Sequence, residues 1–253
     1  MISLENFNLI CWLWIAVATI VFPILLNVTQ PYGKHSKSNW GPMIGNRTGW
    51  FLMEFPALFV FGYFLISGNG LFNTLVMTAV MLWGLHYIHR VFIFPLQIRT
   101  SGKKMPVIIV LFAIFFNTVN GFLNGYWLAH FAPEYTPGII TNARMTVGVT
   151  LFLAGFVINK YHDGILIRLR ASSGSGYKIP FGGLFKYVSC PNFLGELISW
   201  TGFFLVTLSL PALSFLVWSC VNLTARALDH HKWYQKEFAD YPKNRKAIFP
   251  NLL

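Results

Sequence analysis

Two groups of polar residues in this sequence have the types and spacing needed for chemistry. The first comprises Glu54, in the segment W-F-L-M-E-F-P-A, and Tyr87, in the segment H-Y-I-H-R. A neutral carboxyl and a tyrosine hydroxyl that reach one cavity can donate hydrogen bonds to a carbonyl oxygen and stabilise the negative charge that develops there. The pattern therefore indicates a carbonyl-polarising pair. The alternative is an interfacial Glu54 that extends towards water or pairs with Arg90.

A metal site is the other chemistry that this region could support. His86 and His89 share a helix face at i, i+3 spacing and could be ligands of one ion. The chain has only seven histidines, however, and lacks the H-x-x-H-H box of membrane di-iron enzymes. Its three cysteines, Cys11, Cys190 and Cys220, form no C-x-x-C pair. We therefore expect no metal site.

The second group lies where three apolar runs begin or end. It combines amides, acids, basic groups and rings: Asn159, His162, Asp163, Arg168, Arg170, Asn192, Glu196, Arg226, Asp229, His230, His231 and Tyr234. Such side chains suit an anionic ligand with phosphates and a ring system. Contact with lipid head groups is the alternative, but it explains the basic residues better than the amides and acids.

No standard nucleotide-binding motif accompanies this second group. There is no G-x-x-x-x-G-K-[ST] and no G-x-G-x-x-G after a strand. A weak G-x-G match at 174–176 falls in a short flexible linker, 171–176. Any nucleotide must therefore bind among helices and loops.

The elements that position these residues follow from composition. Hydrophobic residues make up 55% of the 253 residues and charged residues only 11%, against roughly 25% charged residues in soluble domains. This excludes a water-soluble domain and predicts an all-α polytopic membrane protein. Apolar runs of about 20 residues predict seven transmembrane helices and a tail: 9–26, 50–66, 71–96, 106–131, 145–167, 192–208, 211–228 and the tail 229–253.

Charge then predicts the orientation of these helices. The 19 Lys and Arg exceed the 8 Asp and Glu, and with seven helices every basic residue except Arg144 falls on or near one side. Basic loops face the cytosol, which predicts an outside N-terminus and a cytosolic C-terminus. A basic chain can also bind nucleic acid, but these positions favour topology, so we expect no nucleic-acid partner. The first run follows Glu5 instead of a basic segment, so we expect it to be retained in a single membrane-embedded domain, 1–253.

The longer motifs resemble those of the steroid 5-alpha-reductase family, the 3-oxo-5-alpha-steroid 4-dehydrogenases. The C-terminal half contains G-Y-K-I-P-F-G-G-L-F-K-Y-V-S-C-P-N-F-L-G-E at 176–196, A-L-D-H-H-K-W-Y at 227–234 and D-Y-P-K-N-R-K-A-I-F-P at 240–250. The N-terminal half adds Y-G-K-H at 32–35, W-F-L-M-E-F-P at 50–56 and H-Y-I-H-R at 86–90. The resemblance spans nearly the whole chain in the family's order.

The resemblance implies a seven-helix enzyme that uses NADPH to reduce the 4,5 double bond of a 3-oxo-4-ene steroid such as testosterone or progesterone. It implies that Glu54 and Tyr87 hydrogen-bond the 3-keto oxygen while C5 receives hydride. It also places a cofactor site at the matching positions: Lys34, Arg99, Asn159, Asp163, Arg170, Tyr177, Asn192, Glu196, Arg226, His230 and Tyr234. Family members commonly carry Gln before the glutamate, where this chain has Met53.

Related membrane enzymes share parts of the C-terminal pattern and remain alternatives. These are polyprenol reductases, enoyl-thioester reductases and isoprenylcysteine methyltransferases. A transporter is the non-enzyme alternative, but the sequence lacks two homologous halves with interrupted helices. We expect a monomer that takes its steroid from the lipid bilayer, in the endoplasmic reticulum or a bacterial inner membrane.

Overall fold

A computed structural model describes residues 2–68, 73–100, 102–171 and 176–253. Parts of three predicted features lie outside these residues. They are the turn at 68–70 beyond its first residue, the first two residues of the span 71–96, and most of the linker 171–176 with its G-x-G match.

Within the described residues the chain is mostly helical. The α-helices are α1 Leu4–Asn27, α2 Asn46–Ser67, α3 Thr74–Ile88, α4 Phe94–Gln97, α5 Val107–His130, α6 Ile139–Ala171, α7 Pro191–Thr207 and α8 Leu210–Glu237. A π-helical turn, His89–Ile93, joins α3 to α4, so these form one continuous helix. Each predicted span therefore coincides with a helix. The helix α8 continues beyond the predicted span to Glu237, into the predicted tail 229–253, through a segment without proline or glycine. The cytosolic location of this tail stays a prediction.

Five of these helices are long and apolar enough to cross a membrane. They are α1, α2, the continuous helix Thr74–Gln97, α5 and α6. The helix α7 has only 17 residues, and α8 becomes charged in its second half. The chain is accordingly a polytopic membrane protein.

A small sheet accompanies the helices that the sequence predicted. Strand β1, Met43–Gly45, pairs antiparallel with β2, Lys104–Pro106, and Ile44 lies opposite Met105. Each strand has three residues, which is too short for an alternating pattern to be recognised in sequence. Since β1 precedes α2 and β2 precedes α5, the sheet aligns the starts of these two helices.

The π-helical turn has a local cause in Pro95. Proline has no N–H to donate to the carbonyl four residues earlier, and its ring crowds that carbonyl. One residue before Pro95, the Phe94 N–H donates to His89 O, five residues back, which defines the wider turn. A single π turn within an α-helix shifts the faces on which neighbouring residues lie. Arg90 lies in this turn.

Glycines let α6 and α7 approach closely. A Cβ atom on Gly155 would lie 2.4 Å from Gly195 O, and one on Gly202 would lie 2.4 Å from Phe152 N. Such contact needs residues without side chains, as in membrane helix pairs with small-residue interfaces. The close approach packs the middle of α6 against α7.

A second glycine contact joins α2 to α5. A Cβ atom on Gly125 would lie 2.5 Å from Phe61 O, and one on Gly121 would lie 3.2 Å from Pro56 O. Because residues four apart share a helix face, Asn117 lies on this face one turn before Gly121. The contact therefore sets the separation of the two helices near that amide.

The single basic exception to the predicted topology has a structural partner. Arg144, on α6, donates through Nη1 to Leu205 O at 2.9 Å and to Val206 O at 3.1 Å. These carbonyls belong to the last turn of α7, where a helix carries partial negative charge and lacks internal donors. Arg144 thus caps α7.

Candidate functional site

One cavity extends between the helices. One end, the apolar chamber, is lined by Glu54, Tyr87, Phe116, Asn117 and Phe215. The other end, the basic mouth, is lined by Lys34, Arg170, Tyr177, Arg226, His230 and Tyr234. Phe215 and His230 are fifteen positions apart on α8, which is about 22 Å along the helix. The cavity thus has room for an elongated apolar ligand beside a charged one.

Glu54 lies inside the chamber wall and is ion-paired. Its side chain is buried, and Arg90 Nη2 donates to Glu54 Oε1 at 3.0 Å. The guanidinium carbon of Arg90 lies 4.8 Å from the ring centres of both Trp50 and Phe94. The structure therefore contains the Glu54–Arg90 pair that the sequence left as an alternative, but within the cavity and not at a wet interface.

Tyr87 lines the same chamber from α3. It is buried, and its ring centre lies 4.8 Å from that of Trp83 and 5.9 Å from that of Trp200. Trp83 is itself fixed, because its Nε1 donates to Ala57 O on α2 at 2.9 Å. Aromatic packing on both sides leaves Tyr87 few alternative rotamers. Its hydroxyl is consequently a preorganised donor.

Three predicted residues meet where the second half of α6 packs against the start of α7. Asn159 Nδ2 donates to Asn192 O at 2.8 Å, and Asn192 Nδ2 donates to Asp163 Oδ1 at 2.9 Å. Asn159 Oδ1 is buried without a hydrogen-bond partner. Since an unpaired buried acceptor is costly, this oxygen is suited to receive a donor from a ligand. Glu196 lines the cavity one turn further along α7.

Lys34 lies in the mouth against two rings of α8. Its Nζ is 3.7 Å from the ring centre of Tyr234 and 4.6 Å from that of Trp233. The pKa of Lys34 is lowered to about 7, chiefly by burial. Cys190 acts in the opposite direction, and the nearby Arg170 contributes to the lowering. A lysine in this state gains charge readily when an anion arrives.

His35 and His230 stack beside Lys34. Their ring centres are 5.0 Å apart, and His35 Nε2 lies 2.9 Å from His230 Nδ1. Burial, together with the charges of Lys34 and Lys37, lowers the pKa of His35 to about 4. His35 is therefore neutral near pH 7, so the two imidazoles can share a hydrogen bond without repulsion.

The chain between α1 and α2 also covers Arg226. The guanidinium carbon of Arg226 lies 3.7 Å from the ring centre of Tyr32, and its Nη1 donates to Gln30 Oε1 at 3.4 Å. Gln30 Nε2 in turn donates to Asn222 Oδ1 at 2.8 Å. Residues almost 200 positions apart thus form one wall of the mouth.

Of the keto-site and cofactor-site residues that the resemblance implies, all but Arg99 line this cavity, and Arg99 is exposed outside it. Four members of the second polar group also lie outside the cavity lining: His162, Arg168, Asp229 and His231. Tyr177, at the mouth, accepts a hydrogen bond from Lys103 Nζ at 3.0 Å. The role of each lining residue stays a prediction.

Sequence reasoning missed three residues of the site. Tyr32 and His35 flank Lys34 in Y-G-K-H, and this motif was the available signal. Asn117 is an amide within an apolar run, and its Nδ2 donates to Met53 O at 2.5 Å. The Met53 side chain is buried with Met105 and Val110.

Comparison with known proteins gives a consistent result. The family model described as 3-oxo-5-alpha-steroid 4-dehydrogenase matches residues 103–253. The chain is 39% identical over 253 residues to steroid 5-alpha-reductase DET2 of Solanum lycopersicum, covering 98% of each chain. It is 36% identical to the DET2 protein of Arabidopsis thaliana, covering 97% of each. It is 43% identical over 232 residues to 3-oxo-5-alpha-steroid 4-dehydrogenase 2 of Homo sapiens, covering 90% of each.

Proposed function

This chain belongs to the 3-oxo-5-alpha-steroid 4-dehydrogenase family of oxidoreductases, and we propose that it uses NADPH to reduce the 4,5 double bond of 3-oxo-4-ene steroids. The observation that carries the proposal is the junction of an apolar chamber, which holds Glu54 and Tyr87, with a basic mouth. A steroid is apolar along its body and polar at its keto end. The chamber matches both properties.

The keto oxygen is the group that the chamber residues act on. In our proposal the Tyr87 hydroxyl donates to this oxygen and withdraws electron density from C5. Glu54 is the second donor, through the oxygen that Arg90 leaves free. A carboxyl donates only in its protonated form, so this role requires Glu54 to hold a proton when the steroid is bound. Each well-placed donor to a developing oxyanion contributes about 3 kcal/mol.

The mouth residues fit NADPH by their chemistry. Lys34, Arg170 and Arg226 are cations that suit phosphates, and Tyr234 offers a ring face. The unpartnered Asn159 Oδ1 is an acceptor for an amide N–H of the kind that a nicotinamide carries. When bound, NADPH supplies the hydride that C5 receives. The chain's own part is to hold the phosphates at the mouth and to exclude water from the chamber with its aromatic walls.

The proposal includes a topology of seven membrane-spanning helices within one domain. The helices α7 and α8 are added to the five spans named above, because a membrane-spanning helix can be as short as about 17 residues. The positive-inside bias then places the mouth and C-terminus in the cytosol and the N-terminus outside. NADPH reaches the mouth from the cytosol, while the steroid enters from the bilayer, in a bacterial inner membrane or the endoplasmic reticulum.

Purified protein in lipid nanodiscs provides the test. NADPH oxidation is measured with testosterone, progesterone and an enoyl-thioester offered singly and in competition, and products are identified by mass spectrometry against 5-alpha-reduced standards. We expect the two steroids to be reduced at C4–C5 and the thioester to be inert. Reduction of the thioester without the steroids would contradict the proposal and favour the related reductases.

A further inference from the structure

An amide from α5 enters the chamber wall without a part in the chemistry proposed above. Asn117 is buried and lines the cavity, and its Nδ2 donates to Met53 O at 2.5 Å. Met53 directly precedes Glu54 on α2. The hydrogen bond therefore connects α5 to the α2 backbone beside the carboxyl that faces the substrate.

The α2 backbone is weakened at this point by its own sequence. Pro56 lies inside the helix and has no N–H, so the carbonyl four residues before it has no α-helical donor. Prolines of this kind loosen or bend a helix locally. The carbonyl left without that donor is Leu52 O. The Asn117 amide donates to the next one, Met53 O, so it does not replace the lost bond but restrains the same stretch of α2, from which the Glu54 carboxyl projects.

The geometry of the helix pair makes this donor rigid. Gly121 and Gly125 follow Asn117 at intervals of four, on the face that touches α2. Their direct backbone contact fixes the distance between the helices, because a Cβ atom on Gly125 would lie only 2.5 Å from Phe61 O. Asn117 is held at the same interface, one turn nearer to Glu54.

The other two asparagines of α5 behave differently. Asn120 Nδ2 donates to Phe116 O at 2.7 Å, and Asn124 Nδ2 donates to Asn120 O at 3.0 Å. Both amide nitrogens thus bond within their own helix. Asn120 contacts another helix only as an acceptor, through Oδ1 from Trp14 Nε1 at 3.2 Å. Of the three amide nitrogens, that of Asn117 is therefore the one that donates to another helix among the described residues.

We propose that Asn117 is a positioning residue of the reaction, which fixes the α2 backbone at Met53 so that Glu54 keeps its place against the keto oxygen. The inference rests on the proposed function, because it assigns to Glu54 the role described there. Asn117 acts through Glu54, so its loss affects turnover and leaves the cofactor mouth unchanged.

The first test replaces Asn117 with leucine, which has a similar size but no donor. We expect kcat for testosterone to fall by about 10- to 100-fold, the range that a misplacement of about 1 Å can cause. The KM for NADPH should stay within about twofold, because the mouth is formed by other helices. The matched control is Asn124→Leu, a buried amide of the same helix whose hydrogen bond is internal, and it should keep the wild-type kcat in its folded fraction.

The second test is Asn117→Asp, which keeps the shape and removes the permanent donor. A carboxyl at 117 donates to Met53 O only while it is protonated, so the ratio of mutant to wild-type kcat should rise as pH falls. Other cavity-lining groups are ionisable or charged: Glu54 of α2, His86 and Tyr87 of α3, Arg90 of the π-helical turn, Asp163 and Arg170 of α6, Glu196 of α7, and Arg226 and His230 of α8. They are common to both proteins, and the ratio removes their contribution.

Three outcomes would overturn the inference. They are wild-type kcat for Asn117→Leu, an equal loss in Asn124→Leu, or a mutant-to-wild-type ratio for Asn117→Asp that does not change with pH. If the leucine variant does not fold, the near-isosteric aspartate variant decides alone.

If wild-type protein binds NADPH but leaves 3-oxo-4-ene steroids unreduced, the proposed function fails by itself. The kcat comparison is then made with the acceptor that the wild type reduces, and a pH-independent ratio there again rejects the positioning role.

Discussion

The chamber and the mouth of the cavity are built on different principles. In the chamber, polar groups project from the middle of helices and each meets a partner from another helix, as Glu54 meets Arg90 and Asn117 meets Met53. In the mouth, polar groups come from helix ends and from the chain between α1 and α2. Basic side chains there face rings, as Lys34 faces Tyr234.

This difference indicates which end of the cavity has its polar groups paired within the protein itself. Paired groups in the chamber are already restrained, which is what a site for transition-state stabilisation needs. The mouth gathers cations whose charges repel one another, and an anionic ligand would relieve that repulsion. We therefore expect chamber variants to affect turnover and mouth variants to affect cofactor affinity.

The largest expected effect is that of Glu54→Gln. Turnover of testosterone should fall by about 100- to 1000-fold, the loss typical of one oxyanion donor, while the Kd for NADPH stays unchanged. Steady-state kinetics and the quenching of NADPH fluorescence on binding measure the two quantities. Unchanged turnover would remove Glu54 from the mechanism.

Arg90→Met is the matched control for this variant, because it breaks the same ion pair from the other side. A buried charge left without its partner destabilises the fold, so folded fractions are compared first by thermal unfolding. If the two variants lose turnover equally, Glu54 serves the pair and not the keto oxygen. A larger loss in Glu54→Gln supports direct action on the substrate.

Asn192→Ala tests the mouth where α6 meets α7. The Kd for NADPH should rise about tenfold, since a hydrogen bond near a charged group contributes about 1.5 kcal/mol, and the KM for steroid should stay within about twofold. The control is Ser199→Ala, on the same helix, whose hydroxyl donates to Phe152 O at 3.1 Å. A greater loss of steroid affinity than of NADPH affinity would misplace the cofactor site.

The smallest expected effect is the pH dependence that Lys34 gives to cofactor binding. With a pKa of about 7 in the free protein, Lys34 is charged below pH 7 and becomes neutral above it. Phosphates bound beside it favour the charged form, so binding above pH 7 takes up a proton. The affinity for NADPH should therefore weaken by about fivefold as pH rises from 7 to 8.

Lys34→Arg provides the reference for that measurement, because arginine stays charged over the whole range. The ratio of wild-type to variant Kd should increase above pH 7 and remain level below pH 6. Isothermal titration in buffers of different ionisation enthalpy counts the protons taken up. A ratio that is level from pH 6 to 9 would show that Lys34 does not gain its charge on binding.

Much of the fold could be predicted from the sequence, because the bilayer imposes a simple length rule. Apolar runs of about 20 residues located every long helix, and Ser209 with Pro211 located the break before α8. The end of α8 was missed because polar residues continue the helix beyond the apolar run. The sheet of β1 and β2 was missed because each strand has only three residues, too few for a periodic signal, and the two strands are far apart in sequence.

The sequence also determined which residue types the site contains. Ionisable and amide groups are costly in an apolar run, so Glu54 and Asn159 were recognisable as candidates without any structure. Tyr32 and His35 lay within the quoted Y-G-K-H motif but were not singled out, and Asn117 lay outside every quoted motif.

The pairing of those residues depends on the tertiary structure and could not be read from the sequence. Glu54 and Arg90 are separated by 36 positions and His35 and His230 by 195, and no local pattern fixes such distances. The π-helical turn shifts the face on which Arg90 lies, while glycine contacts set how closely α2 approaches α5 and α6 approaches α7. Helix position along the chain follows from local hydrophobicity, whereas helix phase and separation depend on packing between distant segments, and the pairing of side chains depends on both.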